Sequence, residues 1–409
     1  MADKWANNGR YCLMKGMSAF RGIPRSVWML GLVSLFMDIS SEMIHSLLPV
    51  FLVVGLGASA LSLGIIEGIA ESTALITKVF SGFLSDWLGK RKVLAVAGYA
   101  IGTLTKPLFA MADGVGLVLT ARFLDRIGKG IRGAPRDALL ADVTTAEQRG
   151  AAFGLRQSLD TAGAFIGPLL ASVLMFATSD NFRSVFWIAV LPGIIAVTLL
   201  AFGVQEPAHR EGEKKGRPIK LADIKMLGRA YWFIVAFGSI FTLARFSEAF
   251  ILLRAQGVGV QASLIPFFMV LMNVVYTLCA YPVGVLSDKL GRMGMLSAGC
   301  LVLVASDIVF ALASGYALVA CGAALWGLHM GLTQGIFSTL VADTSPANIR
   351  GSAFGIFSLA TGIAMLMASM LAGWLWDVAG PAATFWAGAT FALVGYTGLL
   401  IRRRHIGTF

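Results

Sequence analysis

Gly82 to Lys90 reads G-F-L-S-D-W-L-G-K, and 202 residues later Gly284 to Arg292 reads G-V-L-S-D-K-L-G-R. A second match sits at nearly the same offset. Asp142 to Gly154, D-V-T-T-A-E-Q-R-G-A-A-F-G, returns as D-T-S-P-A-N-I-R-G-S-A-F-G at Asp343 to Gly355. Two matches at one spacing predict a unit of about 200 residues that occurs twice. What that unit is follows from composition.

The 409 residues are 57% hydrophobic and 13% charged, with a mean hydropathy of +0.78. Soluble domains carry about 25% charged residues, so an all-α polytopic membrane protein is expected. Windows of about 20 apolar residues give twelve spans. They cover 27–54, 61–83, 93–111, 115–141, 151–176, 184–204, 230–254, 263–286, 293–313, 316–341, 351–376 and 383–402. The division that follows is a tail at 1–26, a six-helix half at 27–204, a polar linker at 205–229, a second half at 230–402 and a tail at 403–409.

The net charge of +11 would suit nucleic acid only if the basic residues formed a soluble domain. They lie instead in the first tail, at Lys90-Arg91-Lys92, in the linker and at Arg402-Arg403-Arg404. That is the distribution of the positive-inside rule, so no nucleic acid is expected, and both termini are expected in the cytoplasm. The setting would be an inner (cytoplasmic) membrane or an equivalent internal one. Residues 1–20 are polar and basic, and no cleavable leader is expected. Cys12, Cys279, Cys300 and Cys321 have no metal-ligand spacing.

With the repeat in place, the chain resembles the major facilitator superfamily over essentially its whole length. G-x-L-x-D-x-x-G-[KR] after the second span of each half is similar to motif A: Gly82, Asp86, Gly89 and Lys90, then Gly284, Asp288, Gly291 and Arg292. Ala121-Arg122-Phe123-Leu124 with Gly128 resembles motif B. Gly154, Gly163, Gly167 and Pro168 have the spacing of motif C, although Leu169-Leu170-Ala171-Ser172 stands where paired glycines would end it. The resemblance implies two six-helix bundles working by alternating access. Helices 1, 2, 4, 5 and their counterparts would line a cavity, and helices 3, 6, 9 and 12 would face outward. Motif C implies export by antiport. A carboxylate at Asp86 would latch onto the start of helix 11 near Ser352, with Arg149 and Arg350 in the same gate loops.

The residues themselves carry a second message. Arg122 to Asp137, R-F-L-D-R-I-G-K-G-I-R-G-A-P-R-D, lies inside span four. On a helix its five basic residues up to Arg136 and Asp125 fall within a sector roughly 120° wide. A central arginine facing lipid costs at least about 2.5–3.5 kcal/mol, so this face needs a cavity or partners. The glycines of Gly128-x-Gly130-x-x-Gly133 imitate a dinucleotide fingerprint, but no strand precedes them, so no nucleotide site is expected.

Offset by 201, Arg122 becomes Ala323, Asp125 Trp326, Arg126 Gly327, Lys129 Met330, Arg132 Thr333 and Arg136 Phe337. The second half therefore folds without these charges. Asp38, Glu42 and His45 share a face of span one, Glu67 and Glu71 one of span two, and Arg156 and Asp160 one of span five. Glu67, Glu71, Asp125 and Asp160 can neutralise Arg122, Arg126, Lys129 and Arg156. Lys106 and Asp307 are exceptions on outward helices.

The expected function is proton-coupled export of a small polar or amphipathic organic solute. Asp38, Glu42, Glu67 and Glu71 would carry protons, His45 would relay them, and Arg122 and Arg126 would meet charge. Two alternatives use the same residues. Asp38, Glu42, His45, Glu67 and Glu71 offer oxygen and nitrogen ligands to a divalent metal such as Fe²⁺ or Mn²⁺ as cargo. The arginines would equally suit uptake or exchange of an organic anion. Arg136 and Asp137 are expected at the cytoplasmic gate. No catalytic constellation is present, so neither an enzyme nor a cofactor is expected. The partners would be a small molecule or ion, protons and the lipid bilayer, and a monomer satisfies this reading.

Overall fold

The computed structural model describes residues 23–88, 90–145, 148–205, 226–290, 292–346 and 349–406. Among these, all regular structure is helical. The spans are α1 (Arg25–Gly55), α2 (Ala60–Leu88), α3 (Arg91–Ala110), α4 (Val115–Asp142), α5 (Arg149–Ala177), α6 (Phe182–Gly203) and α7 (Arg229–Gly257). They continue with α8 (Pro266–Leu290), α9 (Arg292–Leu312), α10 (Tyr316–Thr344), α11 (Arg350–Ala379) and α12 (Pro381–Ile406). Eleven of the described helices are long and apolar enough to cross a membrane. The twelfth, α4, misses that measure because of its charges, yet Arg122, Asp125, Arg126 and Arg132 on it are all buried.

The two halves repeat each other in packing detail. A Cβ on Gly130 would meet Thr77 and Ala74, and one on Gly331 would meet Cys279 and Tyr276, the residues 202 positions on. Likewise Gly98 abuts Arg132, and Gly299 abuts Thr333. The loops follow. Gly57 and Gly259 are both left-handed, with φ of 65° and 87°. Gly380, φ 86°, has Ser179, φ 53°, as its counterpart, a conformation glycine tolerates better.

Four of the described spans are interrupted, α3 and α6 at the single residues Thr105 and Ala189, and α1 and α7 over longer stretches. In α1, Ser46 and Leu47 interrupt the regular helix before Pro49, which has no N–H to give. In α7 the helix stops at Ala244 and restarts at Ala249. The freed backbone finds partners. Ser247 N–H donates to Ser369 Oγ at 3.3 Å, and Ala249 N–H donates to Ser247 Oγ at 3.2 Å. Irregular backbone at this depth is tolerated only when satisfied inside the protein in this way.

The halves are joined tightly at the end remote from the termini. There Gly64, Gly68 and Gly373 let α2 and α11 touch backbone to backbone. Asp377 of α11 accepts from Ala60 N–H and Leu61 N–H, and Ser172 of α5 donates to the Ser263 carbonyl.

Candidate functional site

Below that seal lies a cavity of about 320 Å³ between the halves. Its walls come from α1, α2, α4, α5, α7, α8, α10 and α11, and among the described residues none of α3, α6, α9 or α12 lines it. Glu42, His45, Glu71, Arg126 and Lys129 supply the charged side. Arg245 to Glu248, Met269, Asn273, Trp326 and Met365 supply the other.

Most expected charges meet. Glu67, fully buried, takes a two-pronged hydrogen bond from Arg122: Nε to Oε1 at 3.1 Å and Nη2 to Oε2 at 2.9 Å. His45 bridges Glu42 at 3.4 Å and Glu67 at 3.8 Å. Arg126 reaches Glu71 at 3.2 Å, and Arg156 reaches Asp160 at 3.5 Å. Forked guanidinium–carboxylate contacts hold both partners in one orientation. Asp125 meets Arg126 of its own helix at 4.0 Å as expected, but its closer partner is Lys106 of α3 at 2.8 Å, which the expected pairing did not include. That contact explains the lysine on an outward helix. Lys129 has no ion-pair partner among the described residues and is exposed to the cavity.

Asp38 of α1 and Asp160 of α5 are neighbours across the helix contact, and two carboxylates so placed repel each other. The motif-C glycines create this closeness. A Cβ on Gly163 would stand 2.8 Å from the Asp38 Cβ, and one on Gly167 2.8 Å from that of Glu42. Pro168 is buried one residue on, while Gly154 has open space around it.

Arg136 pairs within its own half with Asp137 at 3.1 Å, Ser34 at 3.2 Å and Asp160 at 3.7 Å. Gly82 packs beside Ala134, Lys90 precedes α3, and Arg149 and Arg350 open α5 and α11. Gly89 and Gly291 lie outside the described residues, as do the surroundings of Gly284 and the side chains of Asp86, Asp288 and Arg292.

Of the five candidate metal ligands, Glu42, His45 and Glu67 adjoin one another, but not as an open metal site. Glu67 and Glu71 are turned to Arg122 and Arg126, and Asp38 to Asp160. Among the described residues no group of three or more His, Cys, Asp or Glu is arranged to hold a metal ion.

The other half fills the equivalent places with rings. Phe337 and Phe357, standing where Arg136 and Arg156 do, have centroids 5.9 Å apart. His329, the counterpart of Gly128, uses Nδ1 to reach the Gly299 carbonyl at 2.9 Å. Asp307 is fully buried, and among the described residues neither of its oxygens has a hydrogen-bond partner. Sequence reasoning missed Ser247, Trp326 and Asp377. Ser247 Oγ donates to Glu67 Oε2 at 3.3 Å and so links the halves at the cavity. The one advance signal for Trp326 was its place opposite Asp125 in the repeat.

Two bundles related by an internal repeat, with a charged cavity where they meet, are the architecture of a membrane transporter. The chain belongs to the Major Facilitator Superfamily, which it matches over residues 30–360 and 233–407. It is 33% identical to an uncharacterized MFS-type transporter of Methanocaldococcus jannaschii, covering 95% of this chain and 97% of that one. Its identity to the inner membrane transport protein YajR of Escherichia coli is 23%, over 92% of this chain and 83% of that protein. A solved peptide transporter, POT in complex with sulfate, superposes with a TM-score of 0.80 at 15% identity, over 94% of this chain and 96% of that one. The protein is thus an integral multi-pass transporter of a small solute, and not an enzyme.

Proposed function

We propose that this transporter couples export of a small polar or amphipathic organic solute to inward proton flow. The observation that supports the reading is the closeness of Asp38 and Asp160, two carboxyl groups that would share a proton, beside the cavity on the helices that motif C packs together. His45, between Glu42 and Glu67, is a second group able to pass a proton along the same wall. Solute and proton would then compete for one charge network, which is the requirement for antiport. Asp86 at the motif-A loop is proposed as the latch of the opposite state, and the direction of export rests on motif C. The basic loops support a reading with both termini in the cytoplasm, and the proposal is of a monomer in an inner membrane.

Purified protein in proteoliposomes with an imposed pH gradient tests this. Solute movement is expected to require the gradient, and Asp38→Asn is expected to keep solute exchange while losing the gradient dependence. Arg126→Gln should abolish coupled transport in a protein that still folds. Normal gradient-driven transport by Arg126→Gln would sink the reading.

A further inference from the structure

We infer that the central cavity takes an amphipathic organic anion, its anionic group held between Lys129 of α4 and Arg245 of α7 and its apolar body against Phe246 and Trp326. The inference rests on the transport reading above and names the solute class for the same cavity.

Charge accounting on the cavity wall carries it. Arg126 is tied to Glu71 at 3.2 Å and Glu42 to His45 at 3.4 Å. Three charged side chains are left with no ion-pair partner within 4 Å among the described residues: Lys129, Arg245 and Glu248. Two are positive and one negative. The nearest charges to Glu248 are Arg245, His45, Glu42 and Glu71, so it offsets Arg245 from a distance and leaves the surplus with Lys129. Arg245 Nε and the fully buried Trp326 Nε1 have no acceptor among the described residues. With His45 protonated against Glu42 the wall carries one surplus positive charge, and the unpaired cations Lys129 and Arg245 are completed by an acceptor-rich anion.

The apolar requirement comes from the same wall. Phe246 and Trp326 stand with ring centroids 5.9 Å apart, and Met269 and Met365 adjoin them. Aromatic and thioether surfaces favour a ring or hydrocarbon body over a fully hydrated ion. The two cations also come from opposite halves. A bound anion therefore bridges helices that must separate when the cavity opens to the other side, which makes solute binding sensitive to conformation.

The probes are phenylpropionate, its neutral amide, phenylpropylamine and acetate. Binding is measured by calorimetry on the purified protein, and proton movement by a pH-sensitive dye in proteoliposomes. Phenylpropionate is expected to bind at least about tenfold tighter than the other three. Lys129→Gln and Arg245→Gln should each weaken it about tenfold without changing the melting temperature, and Arg245→Lys should recover part of the loss. Equal or tighter binding of the amide or the amine overturns the inference, as does unchanged phenylpropionate binding in both glutamine variants. Phenylpropionate that binds as expected but moves no protons supports the inference and removes proton coupling. Proton flux driven by the amine alone keeps the coupling and removes the anion.

Discussion

Asp377, near the end of α11, accepts hydrogen bonds from the backbone N–H groups of Ala60 and Leu61 at 3.0 and 2.9 Å, and so closes one half onto the other. A carboxylate on a helix N-terminus satisfies orphan donors and meets the positive end of the helix dipole. This is the device that motif A led us to expect of Asp86 at the opposite end of the bundle. Here it stands at the end remote from the termini, and it is contributed by the other half.

Asp377→Asn should loosen that seal by about 1 kcal/mol, or roughly fivefold in the population open at that end. Ala58, buried near the seal, gives the readout when replaced by cysteine. Alkylation of Ala58→Cys should be several-fold faster in the Asp377→Asn background, and an unchanged rate would show that the contact does not hold the state.

Breaking the Glu67–Arg122 pair should be costly, because either charge alone is stranded in a buried site. Glu67→Gln and Arg122→Gln should each destabilise by about 3–5 kcal/mol. Their double variant should cost clearly less than the two singles added together. Thermal unfolding in detergent measures this cycle, and strict additivity would contradict the pairing.

Lys106 and Asp307 occupy equivalent positions with opposite charges and opposite surroundings. Lys106 neutralises Asp125, whereas Asp307 has no hydrogen-bond partner among the described residues. Lys106→Met should therefore lower the melting temperature, and Asp307→Asn should leave it equal or raise it. The reverse order would mean that Asp307, not Lys106, anchors its half.

Gly167 has no room for a side chain against α1. Gly167→Val should push Ile39 and Glu42 away and destabilise by about 1–3 kcal/mol. Gly154→Ala, where the surroundings are open, should be silent in the same unfolding assay.

The helices were legible in the sequence because membrane helices are written by a local rule: about twenty apolar residues, then polar ones. The repeat was legible for the same reason, since matching residues at one offset require no knowledge of contacts. Even the charge-rich α4 was placed within a residue of its end, from 115–141 to Val115–Asp142.

Pairing obeys no such local rule. Asp125 looked as available to the basic residues of its own helix as to Lys106, and only the packing of α3 on α4 brings the Lys106 ammonium to 2.8 Å. The closeness of Asp38 to Asp160 depends on two glycines of α5 meeting α1, a contact between residues more than a hundred positions apart. The sequence by itself determined which residues are charged, at what depth they lie and in which half. The tertiary structure alone decided which charges cancel and which remain free. Lys129 is left without an ion-pair partner among the described residues because the carboxylates near it, Glu71 and Glu42, are already engaged by Arg126 and His45. Ion pairing is decided over a few ångströms in space, and no separation along the chain encodes that distance.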